Sequence, residues 1–336
     1  MKILIVSNQI FEDGRVTNPI MPRMKDSLLR DERVDEVLLM PVSYSFTGLK
    51  RIRKAAKKAD LVHVHFGGMY ALIVWFSMIG VNCPKIITFH GTDIHAKAIK
   101  TAKSVLRKAK IKLNQYSSFW SISLFDRCGF VAEEMKGYVP GFLSKQLKKK
   151  AFVQKLGVDY NVFKIKDKEE SQEELGLGKG HYVLFSDISG SSIKRRDLAE
   201  SIIRGLGDNY KMLLMCGVKP DQVPLYINSS DFLILTSDEE GSPNIIRECL
   251  ALNKPVFSVK VGDAEKQLQD LENSCIISRE PEEAARAILK QIQKTYTDNS
   301  REKLQNQLNF DVLNSSIIDL YAGMCDNKER LKKKMK

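Results

Sequence analysis

The sequence predicts an α/β protein that contains two doubly wound parallel sheets. Short apolar segments that end in polar residues recur along the chain, as buried parallel strands do. Helical patterns separate these segments, and strand alternating with helix is typical of parallel sheets. A polar and charged segment at residues 158–180 interrupts the pattern. The length of 336 residues fits about two domains of roughly 150 residues each.

The first domain is predicted to cover residues 1–165. A helical pattern at residues 49–59 separates two of its apolar segments. The longest apolar stretch, Met69–Val81, has 13 residues, too few for a bilayer-spanning helix of about 20, so we expect a buried helix there. The predicted strands are KILIVSN (2–8), VDEVLLMPV (34–42), ADLVHVHF (59–66), KIITFHG (85–91) and SSFWSIS (117–123).

The second domain is predicted to cover residues 166–310. Residues 311–325 form a last helix that stands apart from the sheet pattern, and the basic tail 326–336 is expected to fray. Ligands of open parallel sheets bind outside the carboxyl ends of the strands, so we expect a site in a central cleft between facing domains. The predicted strands are residues 181–189, 210–217, 231–237 and 254–259, and the predicted helices are residues 196–206, 244–252 and 281–296.

Positive charge is concentrated in the first half of the chain. The net charge is +12, and residues 1–155 carry 27 Lys and Arg against 12 Asp and Glu. The remaining residues carry 26 against 29. This asymmetry predicts an anionic partner for the first domain, and a merely solvated basic surface is the alternative. Nucleic acid is not expected, because the chain has no nucleic-acid-binding motif and no aromatic residues interleaved with its lysines.

A basic segment at residues 96–113, AKAIKTAKSVLRKAKIKL, projects as an amphipathic helix with one apolar stripe. Such helices commonly lie on anionic membranes. The stripe could equally pack against the core of the domain. The residues expected to meet an anionic membrane surface are Lys97, Lys100, Lys103, Arg107 and Lys108.

The cysteines and the N-terminus favour a cytoplasmic protein. The 6 cysteines include no Cys-x-x-Cys pair, and no His/Cys cluster has metal-ligand spacing. Neither a disulfide framework nor a bound metal is therefore expected. The apolar run of MKILIVSNQ is too short for a signal peptide. Together with the basic helix, this predicts a cytoplasmic protein that docks on the inner face of the membrane.

The stretch from Asp238 to Ser258, DEEGSPNIIRECLALNKPVFS, predicts a ligand site. It passes from a strand end through a short turn into an apolar helix. The free N–H groups of a first helical turn suit a phosphate, Pro243 fits that turn, and Gly241 permits close approach of the backbone. Glu240 would repel phosphate, so its carboxylate suits hydroxyl groups, as does that of Glu248. A phosphate between hydroxyl-rich groups describes a nucleotide sugar.

Glu240 and Glu248, with EGSPNIIRE spanning them, resemble the E-x7-E motif of retaining glycosyltransferases with the GT-B fold, glycosyltransferase family 4 in particular. The resemblance implies that Glu240 contacts the donor sugar and that Glu248 binds the ribose hydroxyls. It implies that the backbone between them holds the sugar and the diphosphate. The alternative is a capped helix with one exposed glutamate. The residues of that backbone segment are Gly241, Ser242, Pro243, Asn244 and Ile245.

The segment VLFSDISGSSIKRRDLAESII (183–203) resembles the first strand, loop and helix of the family's donor domain. The resemblance implies that Lys194 binds the diphosphate, where an ammonium would balance the charge of the leaving group. The family often has an arginine six residues earlier, where this chain has Ile188. The groups that could replace that arginine are Arg195, Arg196, Ser189, Ser191 and Ser192.

Three further segments extend the resemblance from about residue 1 to 325. KIITFHGTDI (85–94) resembles the family's His-Gly turn, which implies that His90 contacts the donor sugar. His63 and His65 alternate with valines and are predicted strand residues. GVDYNVF (157–163) resembles the interdomain crossover, and FDVLNSSIIDLY (310–321) resembles the closing helix that packs back on the first domain.

The loop after the first strand departs from the family pattern. Many members carry a Gly-Gly pair there, at which backbone amides meet donor phosphate and acceptor. This chain reads SNQIFEDGRVTNP (7–19), with a single glycine. Gly14 and Arg15 are the candidates for this acceptor or phosphate loop.

The predicted function is transfer of a sugar, with retention, from a nucleotide diphosphate sugar. A UDP-sugar is the expected donor and a glycan or lipid-linked molecule of cell-surface polysaccharide synthesis the expected acceptor. No metal or other cofactor is expected, because Lys194 and helix amides can balance the charge and no Asp-x-Asp stands near the site. Two alternatives remain, a nucleotide-sugar epimerase on the same fold and a non-catalytic partner subunit, which Ile188 and the single Gly14 favour.

Overall fold

The chain divides into two compact units in the computed structural model. The first is Met1–Leu156 with Phe310–Lys336, and the second is Gly157–Asn309. The predicted boundary lies a few residues later, at residue 165; the second unit begins earlier because Val158 and Phe163 are buried in its core. The structure describes residues 1–11, 20–91, 93–95, 99, 104–187, 190, 192–294 and 299–334, with side chains up to residue 327.

Both units contain a sheet in which every paired strand is parallel to its neighbour. The strands are β1 (Lys2–Ser7), β2 (Glu36–Pro41), β3 (Leu61–His65), β4 (Lys85–Phe89), β5 (Arg127–Phe130), β6 (Ala151–Val153), β7 (His181–Ser186), β8 (Tyr210–Met215), β9 (Phe232–Leu235), β10 (Val256–Val259) and β11 (Cys275–Ile277). The first sheet has the order β2-β1-β3-β4-β5-β6 and the second the order β11-β10-β9-β7-β8.

Helices connect the strands in both units, as crossovers between parallel strands require. The helices are α1 (Ile20–Leu28), α2 (Phe46–Ala56), α3 (Met69–Ser77), α4 (Val105–Leu124), α5 (Ser144–Lys150), α6 (Lys168–Glu174), α7 (Arg196–Leu206), α8 (Val223–Ser229), α9 (Asn244–Ala251), α10 (Ala264–Gln267), α11 (Pro281–Ile292), α12 (Ser300–Leu308) and α13 (Phe310–Lys334).

Each sheet reverses its strand order at one point, which is where doubly wound sheets bind ligands. In the first sheet the reversal lies between β1 and β3, and in the second it lies between β7 and β9. The loops that follow β7 and β9 therefore leave the second sheet side by side. These two loops contain the predicted residues Lys194 and Glu240.

The predicted strand SSFWSIS is wrong, because residues 117–123 lie in α4. Helical spacing explains the pattern, since Phe119 and Ile122 are both buried and lie three residues apart. The hydroxyls of Ser117 and Ser121 donate to the carbonyls four residues earlier, Leu113 O at 2.8 Å and Ser117 O at 2.9 Å. These bonds satisfy the serine side chains within the helix.

The closing helix α13 packs within the first unit. The Ser27 hydroxyl donates to Asp311 at 2.6 Å, and Arg33 donates to Asp319 at 2.6 Å. The helix does not end near residue 325 but continues to Lys334, so the residues predicted to fray as far as 334 are helical. Met324 and Cys325 pack against the core of the first unit, so this packing reaches the end of the predicted helix.

A buried chain of hydrogen bonds ties α13 to the first sheet. The Tyr321 hydroxyl lies 2.5 Å from His63 Nδ1, and His63 Nε2 lies 2.8 Å from Thr88 Oγ1. Thr88 donates its hydroxyl proton to Gln154 Oε1 at 2.7 Å, so Thr88 must accept from His63 Nε2–H. His63 Nδ1 must then accept from Tyr321. Burial lowers the pKa of His63 to about 3, which keeps the imidazole neutral.

We predict that the first unit loses stability as the pH falls from about 6.5 towards 4. The pKa of His63 is about 3 in the folded chain and about 6.5 in an unfolded one, so only the unfolded chain takes up this proton. Each such histidine lowers the free energy of unfolding by about 1.4 kcal/mol per pH unit in this window, and its contribution is fully present above pH 6.5. Urea unfolding at pH 5, 6 and 7 measures the slope.

His63→Asn should reduce this slope by about 1.4 kcal/mol per pH unit, the contribution of one proton. The matched control is His181→Asn, since His181 is exposed on the second unit, and it should leave the slope of the first unit unchanged. A folded His63→Asn protein with the wild-type slope would contradict the assignment of a neutral, buried His63.

Candidate active site

The loops after β7 and β9 are fastened to each other in the second unit. The Thr236 hydroxyl lies 2.9 Å from both the Lys194 and the Arg195 carbonyl oxygens. The Asp238 N–H donates to Ile193 O at 2.8 Å. Residues 192–195 and 236–240 therefore form one hydrogen-bonded edge at the carboxyl ends of the two strands.

Lys194 and Glu240 form an ion pair at this edge. Lys194 Nζ lies 2.6 Å from Glu240 Oε1, and the side chains are 26% and 15% exposed. The structure thus brings together two residues that the sequence assigned to one site. Arg195 follows with a left-handed backbone, φ 53°, a strained conformation for a residue with a side chain, of the kind that clusters at functional sites.

The arginines next to Lys194 are paired with carboxylates of their own unit. Arg195 donates to Asp197 at 3.0 Å and lies 3.5 Å from Asp238. Arg196 Nε donates to Glu200 at 2.8 Å. The charges of Arg195 and Arg196 are therefore compensated locally. Lys194 is the cation that contacts Glu240, the carboxylate predicted to bind the donor sugar. Of the other candidate groups in this loop, Ser192 is exposed; Ile188, Ser189 and Ser191 lie outside the described residues.

The turn before α9 leaves several backbone donors unused. The helix begins at Asn244 with Pro243 as its N-cap, so Pro243 lies one position before the first turn. Within the described part of the chain, the N–H groups of Gly241, Ser242, Asn244 and Ile245 donate to no protein acceptor. Unpaired N–H groups at the start of a helix suit an anion.

Glu248 lies on the same face of α9 as the helix start. It follows Asn244 by four residues, and the side chains of such a pair are neighbours on a helix. These two positions are half-buried, whereas every other residue of α9 is buried. The predicted hydroxyl acceptor therefore lies beside the free N–H groups of the turn.

A buried polar cluster behind this turn was missed by the sequence analysis. Arg247 is 5% exposed and donates to Ser242 Oγ at 2.7 Å and Ser242 O at 3.1 Å. The Ser242 hydroxyl in turn donates to Asp263 Oδ2 at 2.7 Å. Arg247 directly precedes Glu248, the second glutamate of the motif. A charged residue on an otherwise apolar helix face is the sequence feature that could have revealed it.

His90 ends a connected group of buried polar residues in the first unit. His90 Nε2 lies 3.1 Å from His65 Nδ1, and its ring stacks on Phe66 with centroids 4.0 Å apart. Burial lowers the pKa of His90 to about 3, so the ring is neutral near pH 7. A neutral imidazole can accept or donate a hydrogen bond to a hydroxyl but carries no charge for a phosphate.

Asp93 holds the loops after β3 and β4 together. Its carboxylate accepts from the N–H groups of Gly67 at 2.7 Å, His90 at 3.0 Å and Gly91 at 2.8 Å. Burial raises the pKa of Asp93, and these hydrogen bonds oppose the shift. The sequence motif His-Gly-Thr-Asp contained this residue, but its role depends on Gly67, which only the fold brings close.

Several predicted residues lie outside the described part of the chain. They include Gly14 and Arg15 of the loop after β1, and Lys97, Lys100 and Lys103 of the basic segment. Among the described residues, no group of three or more His, Cys, Asp or Glu side chains could hold a metal ion. No helix within the same residues is both long and apolar enough to cross a bilayer.

Comparison with known proteins shows the type of enzyme. Residues 185–294, which contain the Lys194–Glu240 edge and α9, match the family model of Glycosyl transferases group 1. The chain is a glycosyltransferase. It is 24% identical over 264 residues to an uncharacterized glycosyltransferase of Methanocaldococcus jannaschii, a match covering 72% of this chain and 70% of the relative. It is 25% identical over 237 residues to the putative teichuronic acid biosynthesis glycosyltransferase TuaC of Bacillus subtilis, covering 64% of this chain and 56% of that relative.

Solved structures show that this glycosyltransferase has the predicted fold class. The sucrose-phosphate synthase of Thermosynechococcus elongatus matches with a TM-score of 0.69 at 14% identity, over 96% of this chain and 99% of that one. Anabaena HepE in complex with UDP and glucose matches with the same TM-score, identity and coverage. The predicted α/β fold of the GT-B type is thereby confirmed. Family 4 membership and the retaining mechanism stay predictions.

We predict that Gly262→Ala destabilises the second unit. A Cβ atom at Gly262 would lie 2.5 Å from Gly241 O and 3.0 Å from Glu240 O, backbone atoms that can move only if the turn moves. The backbone φ of 53° adds the strain of a left-handed conformation. The clash should cost about 1–3 kcal/mol beyond that strain, measured as the free energy of urea unfolding.

Gly217→Ala is the matched control for this substitution. Gly217 has a similar φ of 64°, and a Cβ atom there meets nothing within 4 Å. It therefore isolates the backbone strain from the steric contact. Equal losses of stability in the two variants would contradict the close packing of residue 262 against the turn.

Proposed function

We propose that this glycosyltransferase transfers a sugar from a nucleotide diphosphate sugar, with retention of configuration, at the edge formed by the loops after β7 and β9. The observation that carries the proposal is the 2.6 Å contact between Lys194 and Glu240 beside the unpaired N–H groups of the α9 turn. A cation and amide donors suit a diphosphate, and a carboxylate suits sugar hydroxyls. The described residues thus offer complementary groups for both halves of such a donor.

Each group of this edge has a separate role in the proposed reaction. The bond between the anomeric carbon and the diphosphate oxygen breaks while Lys194 and the free N–H groups balance the charge of the leaving diphosphate. The acceptor hydroxyl bonds to the anomeric carbon on the same face, and its proton passes to the leaving phosphate. Glu240 orients the sugar, and Glu248 binds the ribose hydroxyls. No metal is needed for this charge balance.

His90 is the proposed contact of the transferred sugar from the first unit. Its side chain is half-buried at the carboxyl end of β4, and its neutral ring suits a sugar hydroxyl. Asp93 and His65 fix the loop and the ring, so that His90 is held in one orientation. The resemblance of KIITFHGTDI to the family's His-Gly turn supports the same role.

A UDP-sugar is the proposed donor. HepE, which shares the fold, is described in complexes with UDP and with UDP-glucose. A second structural neighbour, from Burkholderia xenovorans, is described as a UDP-forming trehalose-phosphate synthase. These names apply to the neighbours. We extend the nucleotide to this chain because Lys194 and the free N–H groups of the α9 turn suit a nucleoside diphosphate.

The proposed acceptor site is a groove of the first unit beside the loop that follows β4. It has a volume of about 930 Å³, within the range of small-molecule sites. Gln115 on its wall donates to Ile94 O at 3.2 Å, which connects the groove to the His90 loop. An apolar wall with two cations suits a glycan on an anionic lipid. Residues that line it include Tyr44, Met69, Arg107, Lys110, Ile111 and Leu113.

The basic surface formed by α2, α3 and α4 supports the proposal of a lipid-linked acceptor. α3 packs against both α2 and α4, and the three helices contain no aspartate or glutamate. Val105 and Leu106 are 82% and 84% exposed, so this part of the apolar stripe does not pack on the core. Exposed apolar side chains among lysines and arginines suit an anionic bilayer. We therefore propose peripheral association with the inner face of the membrane.

We predict that Lys194→Ala and Glu240→Gln each lower kcat by about a hundredfold to a thousandfold, because Lys194 balances the charge of the leaving diphosphate and Glu240 orients the sugar. Transfer is measured with a panel of UDP-sugars and a lipid extract as the acceptor source. The control is Lys211→Ala, an exposed lysine on β8 of the same unit, which should retain wild-type activity. Proton NMR should show that the transferred sugar has the same anomeric configuration in the product as in the donor.

Other outcomes of this assay discriminate the alternatives. Release of UDP only in the presence of acceptor excludes an epimerase. No turnover by the wild-type chain with any donor would favour a non-catalytic partner subunit. Wild-type rates in both site variants would contradict the assignment of Lys194 and Glu240.

We predict salt-sensitive binding of the protein to vesicles that contain anionic phospholipid. Replacing Lys97, Lys100, Lys103 and Arg107 by Gln should weaken binding about fivefold per charge, since each basic residue contributes about 1 kcal/mol near such a surface. Val105→Ser with Leu106→Ser should weaken it at high salt as well. Val312→Ser, at a valine of α13 that is 52% exposed, is the control. Unchanged sedimentation of the charge variant would contradict membrane docking through this basic segment.

A further inference from the structure

Arg247 is buried, and its side chain donates hydrogen bonds to residues at the start of its own helix. It is 5% exposed, and its guanidinium donates to Ser242 Oγ, Ser242 O and Asn244 Oδ1. A buried arginine usually pairs with a carboxylate, but these three acceptors are neutral. Burial lowers the pKa of Arg247, and the charges of Asp263 and Glu248 oppose that shift. The guanidinium remains charged near neutral pH.

Asp263 completes the arrangement from the other side of the turn. Its backbone N–H donates to Gly241 O at 3.2 Å, and its side chain accepts from the Ser242 hydroxyl at 2.7 Å. Gln267 Nε2 donates to the second oxygen of Asp263 at 2.6 Å. Asp263 thus bonds to Gly241 O and to the Ser242 hydroxyl from one side of the turn.

The bond between Asp263 and Gly241 O determines the direction of the next N–H group in the turn. In a trans peptide, the carbonyl and the following N–H point in opposite directions. Because Gly241 O is bound by Asp263, the Ser242 N–H points away from that residue. The N–H groups of Asn244 and Ile245 also have no protein acceptor in the described part of the chain. The cluster therefore presents donors where an anion would bind.

We propose that Arg247, through Ser242 and with Asp263, is a positioning residue that orients residues 241–245 for the diphosphate of a nucleoside diphosphate donor. This inference rests on the proposed function. Arg247 acts through the backbone and does not itself touch the ligand. The guanidinium fork can hold three acceptors at once, whereas a lysine ammonium at the same place acts as a single point of charge. The orientation of the turn should therefore depend on arginine at this position.

The test compares Arg247→Met and Arg247→Lys with the wild-type chain. Titration calorimetry with UDP should give a dissociation constant raised roughly tenfold to a hundredfold for Arg247→Met, the size expected when hydrogen bonds to a charged group are lost. Arg247→Lys should recover part of that loss. In the transfer assay, the KM for the UDP-sugar should rise while the KM for the acceptor stays unchanged. If Arg247 only stabilised the fold, its replacement would not raise the KM for the UDP-sugar while leaving the KM for the acceptor unchanged.

Arg301→Met is the matched control. Arg301 fastens the opposite end of α9, because it donates to Ala251 O at 2.5 Å and to Phe163 O at 2.8 Å. It should lower the melting temperature of the second unit but leave the affinity for UDP within about twofold of wild type. If Arg247→Met does not fold, Arg247→Lys and Asp263→Asn provide the comparison.

The results that would overturn the positioning role differ from the result that would overturn the proposed function. Wild-type affinity for UDP in folded Arg247→Lys and Asp263→Asn proteins, or equal losses in the Arg247 and Arg301 variants, would overturn the positioning role alone. A wild-type chain that binds neither UDP nor another nucleoside diphosphate would overturn the proposed function, and this inference with it.

Discussion

The parallel pairing of β7 with β9 is the constraint on which the candidate site depends. The two strands are adjacent at the point where the second sheet reverses its strand order, so the loops after them must leave the same edge together. Thr236 then fastens the loop that carries Lys194, and Glu240 meets Lys194 although the two lie 46 residues apart in sequence. α9 begins four residues after Glu240. The free N–H groups of the turn before it therefore lie beside the ion pair.

Much of this arrangement could be predicted from the sequence, because parallel strands and helix starts leave local signals. Apolar runs ending in polar residues predicted the paired strands β1 to β4 and β7 to β10, and the turn before α9 had the glycine and proline of an anion site. The predicted strand at residues 117–123 was wrong for a local reason. Serine alternating with apolar residues fits a strand, but here the hydroxyls bond to carbonyls one helical turn earlier.

The contacts that hold the site in place could not be predicted, because they join residues distant in sequence. Asp93 bonds to Gly67, His63 bonds to Tyr321 across 258 residues, and Ser242 bonds to Asp263. No periodicity marks such pairs, and each residue alone resembles an ordinary loop or strand position. Arg247 gave a signal, a charge on an otherwise buried helix face, but its acceptors became identifiable only once the turn was folded.

The most direct test of the central claim is a crystal structure of the chain with UDP bound. We expect the diphosphate to lie within hydrogen-bond distance of Lys194 Nζ and of the N–H groups of residues 241–245, with the ribose hydroxyls on Glu248. Arg247 should keep its bonds to Ser242. A nucleotide bound elsewhere on the second unit, or a diphosphate that contacts neither Lys194 nor the α9 turn, would contradict the account.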